Sequence, residues 1–82
     1  MTAPAALESD LRQVNEEIRR LDPEADVAHQ AADKMVEEMR AEGIDPLRDA
    51  EAFERVDAAY RAADELREQA SILRQRRERL LG

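Results

Sequence analysis

A chain of 82 residues holds one domain at most, and a charged fraction of 40% with a net charge of −7 leaves little apolar mass for a core. Hydrophobic residues make up 43%, too many for a fully disordered chain, but much of that is alanine, and Phe53 and Tyr60 are the only aromatics. With no cysteine in the sequence, disulfides and thiol chemistry are excluded, so a chain this small is expected to gain stability from oligomerisation or from a partner.

The opening "MTAPAALESD" has neither a positive n-region nor a long apolar run, so no secretory signal is expected there. No stretch approaches the length of a membrane span, which argues against a membrane partner. The expected location is cytoplasmic, or within a particle assembled in the cytoplasm. Up to Gly43 the chain has 5 basic and 11 acidic residues, and beyond it 8 and 9, so the acidic excess belongs to the first half. Lys34 is the single lysine against twelve arginines, a bias that fits GC-rich coding and carries no mechanism.

From the N-terminus, apolar residues recur at Leu7, Leu11, Val14, Ile18, Leu21, Ala25, Ala28, Ala32, Met35 and Met39. The steps alternate between four and three, the heptad seam of a long amphipathic helix. Asp22-Pro23 interrupts it chemically: proline lacks an N–H and clashes with the preceding turn, and Asp-Pro also reads as an N-cap and first helical residue. Because the seam keeps its phase across the proline, one arm with a kink near Pro23 is expected rather than two helices.

The clearest punctuation is "EGIDPLRDA" at 42–50. Gly43 suits the left-handed position that ends a helix, Asp45-Pro46 offers a new start, and Asp49 offers a later cap. The second arm repeats the alternation at Ala52, Val56, Ala59, Ala63, Leu66, Ala70, Leu73, Arg77 and Leu80. Glu51–Arg55 and Asp57–Arg61 stand at i,i+4 with the acid first, the favourable order on an exposed face.

The expected fold is therefore all-α: a single antiparallel helical hairpin with arm one at 5–42, a turn at 43–48 and arm two at 49–81, coiled-coil-like and completed by oligomerisation or a partner. Folding about residue 45 sets Ala28 and Ala32 against Ala62 and Ala58, and Ile18 and Leu21 against Ile72 and the Leu66–Leu73 stretch. Small residues meet at the waist, with larger ones toward both ends. Phe53 and Tyr60 lie one position off the seam, where a further helix would pack. The expected partner interface is Phe53, Tyr60, Val56, Met35, Met39, Ile44 and Leu47.

Four groups invite a chemical role. The closing "RQRRERLLG" places Arg74 and Arg77 on one face, with Arg67 a heptad earlier, and Arg76 and Arg79 on another. Such a cluster binds phosphates elsewhere, but an acidic chain repels nucleic acid, no aromatic is interleaved for stacking, and cations are expected at a helix C-terminus. Pairing with Glu8, Asp10, Glu16 and Glu17 across the hairpin explains the arginines better, so nucleic acid is disfavoured as a partner. Asp22, Glu24, Asp26, Asp33, Glu37, Glu38 and Glu42 form an acidic face that could imitate nucleic acid, though an ordinary solubilising face is the simpler reading. His29, with Asp26 and Asp33 at −3 and +4, resembles half of a carboxylate–histidine metal site, but no inward glutamate stands opposite and a surface histidine is expected. Ser9 and Ser71 have no evident base, and Gly43 and Gly82 make no phosphate loop, so no enzyme, cofactor or metal is expected.

The functional expectation is a structural or assembly protein, a small helical interaction subunit of a larger complex or particle such as a phage virion. The alternative is a small acidic regulator, antitoxin-like or an inhibitor of a nucleic-acid-binding enzyme, acting by protein–protein binding.

Overall fold

The computed structural model describes residues 3–82, with side chains from residue 5 onward. Two helices account for the described regular structure: α1, Ala3–Ala41, and α2, Ala50–Leu81. They pack along their length as an antiparallel hairpin measuring 65 × 16 × 15 Å.

α1 spans 39 residues and passes through Pro23 without interruption. Proline removes the bond that its N–H would make to the Arg19 carbonyl. Both residues lie on the exposed face, where water can take the freed carbonyl. The N-cap alternative at Asp22 is not used; that carboxylate turns across to the second arm instead.

α1 ends in a complete Schellman motif. Gly43 adopts φ 81°, Ile44 N–H donates to the Met39 carbonyl at 2.8 Å, and Gly43 N–H donates to the Arg40 carbonyl at 3.0 Å. Asp45 then closes a single turn, its side chain accepting from Leu47 N–H at 2.9 Å and its carbonyl from Arg48 and Asp49 N–H, both at 3.0 Å. Pro46, within that turn, is buried. α2 starts from the later cap: Asp49 is extended and its side chain accepts from Ala52 N–H at 3.0 Å.

The seams of both arms face each other. Val14, Ile18, Leu21, Ala25, Ala32 and Met39 of α1 are buried, as are Ala52, Ala63 and Ala70 of α2, and the remaining seam positions from Leu11 to Leu80 are half-buried. The residue-by-residue facing needs correction. Ala58 and Ala62, expected opposite Ala32 and Ala28, are exposed; Ala63 is buried and Ala59 half-buried in their place. Ile72, expected opposite Ile18, is also exposed. Counting outward from a turn gives the level of a residue along the hairpin, whereas which side it faces follows the helical repeat.

Replacing the exposed Pro23 with alanine restores a helical bond and should stabilise the hairpin by about 2–3 kcal/mol, read as a higher urea midpoint with an unchanged slope. Ala63 has no room around it, at 0% exposure. Ala63→Leu forces the arms apart and should cost about 2 kcal/mol or more in the same measurement.

Candidate interaction surface

The two edges of the hairpin differ in character. Along one edge, α1 places Asn15, Asp22 and His29 a heptad apart, and α2 places Tyr60, Arg67 and Arg74 likewise. Polar links cross between the arms here. Arg77 donates to Asn15 Oδ1 at 3.1 Å, Arg74 pairs with Asp22, and the Tyr60 hydroxyl donates to Asp33 Oδ1. The other oxygen of Asp33 lies 3.7 Å from His29 Nε2, and the His29 ring meets the Tyr60 ring edge-on with centroids 5.3 Å apart. His29 Nδ1 is buried without a hydrogen-bond partner.

Arg74 thus pairs across the hairpin as expected, but with Asp22 rather than with Glu8, Asp10, Glu16 or Glu17. Among the described residues, Glu8 shares the heptad position of Asn15 and Asp22 without an arginine within 4 Å; Asp10, Glu16 and Glu17 stand on other faces of α1, and Arg76 and Arg79 have no carboxylate within 4 Å. Of the acidic face, Asp22 and Asp33 are engaged across the arms, while Glu24 stands 3.6 Å from Arg20 and Glu38 4.0 Å from Lys34. Asp57–Arg61 closes at 3.0 Å; Glu51 and Arg55 do not come within 4 Å. Among the described residues, no group of three His, Cys, Asp or Glu side chains converges as a metal site would require.

The seven residues expected to form a partner interface separate in the structure. Met39 is spent inside the hairpin at 6% exposure, and Met35 and Val56 are half-buried in the seam. Tyr60 is tied to Asp33. Ile44 is half-buried in the Schellman turn. Leu47 at 81% and Phe53 at 50% exposure are the two that face solvent, both at the turn end.

The opposite edge has apolar residues that the seam count passed over. One shallow groove is lined by Glu17, Arg20, Leu21, Gln69, Ile72 and Leu73, and the next by Pro23, Glu24, Val27, Ala28 and Ala31. Val27 is 64% and Ile72 53% exposed. Their signal in the sequence was a branched apolar residue away from the seam positions, with Val27 four residues from both Pro23 and Ala31.

No protein-family model, curated protein or solved structure matches this chain. Among the described residues, no helix is long and apolar enough to cross a membrane.

The Tyr60–Asp33 bond gives the hairpin a titratable clasp. Donation to the Asp33 carboxylate raises the phenol above its usual value of 10.0, with desolvation and the carboxylate charge acting in the same direction and Arg40 opposing them. A raised folded-state value means that the stability from this bond is fully present below about pH 10 and lost as pH rises through the folded value. Tyr60 is the single tyrosine and there is no tryptophan, so phenolate absorbance reports it directly. Its midpoint should lie above 10 in the native protein and return toward 10 in Asp33→Asn.

Proposed function

We propose that this chain is a non-enzymatic assembly module, a small helical hairpin that works by protein–protein contact as a subunit of a larger complex or particle, of the kind a virion carries as an accessory protein. The observation that supports this most is the surface. A globular monomer of 9.3 kDa exposes about 5,000 Å²; this chain exposes 6397 Å². Its radius of gyration is 18.4 Å, against about 12 Å for a compact domain of this length. The described side chains at 0% exposure are alanines, Ala32, Ala63 and Ala70. A thin core and an oversized surface are what a module waiting for further helices would have. Leu47 and Phe53 give the turn end an apolar contact for a partner.

A second reading, a small acidic regulator, draws support from the carboxylates Glu37, Glu38 and Glu42 near the turn. Pairing of Asp22 with Arg74 and of Asp33 with Tyr60 across the arms weakens it, because those two carboxylates are already neutralised or hydrogen-bonded within the hairpin.

Sedimentation across a concentration series, with helicity and thermal melting followed in parallel, tests the assembly reading. It expects either self-association or a marginal, easily melted monomer. A fully helical monomer that melts cooperatively at high temperature, independent of concentration, would sink it. Charge reversal at Glu37, Glu38 and Glu42 tests the regulator reading through binding to a nucleic-acid-binding target: unaltered target binding after that change would remove it.

A further inference from the structure

We propose that the groove edge carrying Val27 and Ile72 is the two-fold face on which a second copy of this chain docks antiparallel, completing a four-helix bundle. This rests on the assembly reading and names its occupant.

The position of the face follows from what the other edge is already doing. There, Asp22–Arg74, Asn15–Arg77 and Tyr60–Asp33 link the arms with polar groups. On the groove edge, the exposed side chains near the waist are Pro23, Val27, Ala31 and Ile72, with Leu21 and Leu73 lining the groove beside Ile72. Glu17, Arg20, Glu24 and Gln69 line the same two grooves, so the apolar strip has a polar rim, the usual anatomy of a protein–protein contact. Ile72 sits beside Leu21, and Val27 lies six residues further along α1, so the two flank the level of Glu24. A two-fold axis through that level, perpendicular to the long axis, brings Val27 of each copy to the level of Ile72 of the other. The contact is then isologous and self-limiting.

Charge selects a second copy, and selects its direction. The free-end half of the hairpin, residues 1–22 and 66–82, carries eight arginines against seven carboxylates. The turn half, residues 23–65, carries five basic residues against thirteen carboxylates. Nearly all the net charge is at one end of a rod 65 Å long. Parallel docking would set two strongly acidic halves side by side, whereas antiparallel docking sets each acidic half beside the arginine-bearing half of the other copy. Area permits the same pairing. A standard interface buries about 800 Å² per partner, and the surface here exceeds that of a compact monomer by about 1,400 Å².

The lack of cysteine makes the geometry directly testable. A single cysteine forms a disulfide with its symmetry mate only if it lies close to the two-fold axis, because bridged Cα atoms must come within about 7 Å. The full chain is prepared as Glu24→Cys, near the proposed axis, and as Phe53→Cys, near the turn. Each is oxidised mildly, with sedimentation and thermal melting of the unmodified protein alongside. The expected result is a dimer whose Glu24→Cys form cross-links at least tenfold faster than Phe53→Cys. Val27→Asp should weaken dimerisation tenfold or more. A dimer that cross-links through Phe53→Cys instead would overturn this face while leaving the assembly reading intact. A monomer of marginal stability at every concentration would overturn the second copy and leave a different partner required. A stable, concentration-independent monomer would remove the assembly reading as well.

Discussion

The structure depends on close contact along a seam of small residues. Ala32, Ala63 and Ala70 are fully buried and Ala25 nearly so. A helix pair whose contact positions are alanine can come close together, which secures many weak dispersion contacts but removes little apolar area from water per residue. Larger side chains, Val14, Ile18 and Leu21 toward the free end and Met39 near the turn, supply most of the transfer energy. This explains both the well-defined register and the thin core. The same seam that fixes the two arms leaves their outer sides uncovered.

Local chemistry sets where the rod folds back, and redundancy in the turn secures it. Gly43 can take its positive φ without a Cβ penalty, and the two Schellman bonds then end α1 at Ala41. Two aspartates follow, each accepting from a backbone N–H within three residues: Asp45 organises the turn and Asp49 starts α2. Pro23 shows the converse. An Asp-Pro pair that resembles a helix start lies within an intact helix, because the seam on both sides of it is already committed to the same partner. Tertiary packing along the arm outweighs a local start signal on its outer face.

The arrangement of arms and seam was readable from the sequence because it rests on periodicity. The alternating steps of four and three identify the residues that turn out buried or half-buried, from Leu11 to Met39 and from Ala52 to Leu80. The interface residues were less readable. Phe53 and Tyr60 occupy equivalent positions a heptad apart, yet Phe53 is half exposed while Tyr60 is held by Asp33 and meets His29 edge-on. The difference comes from what the other arm places opposite, and one arm's pattern does not contain that. The sequence pattern passes over Val27 and sets Ile72 against Ile18 for a related reason: the two belong to no repeat of their own, and become one edge only when the two arms are side by side.

Charge provides the strongest case of information created by folding. Divided by arm, the chain has an acidic half and a nearly balanced half, which suggests arms attracted to each other side by side. Once the chain folds back, the relevant division is between its two ends, and the balance changes: the arginine-rich tail of α2 offsets the carboxylates at the start of α1, while the acidic residues on both sides of the turn accumulate. Attraction between arms is then confined to the free end, where Arg74 finds Asp22. The turn half is held together against its own repulsion by Pro46, Met39, Ala52, the Tyr60–Asp33 hydrogen bond and the capped turn. A rod polarised in this way supports the proposed antiparallel pairing, which sets its acidic end beside the arginine-bearing end of a second copy. In that proposed pair the turn ends, with Leu47 and Phe53, would point in opposite directions, which would leave an exposed apolar contact at each end of the assembly.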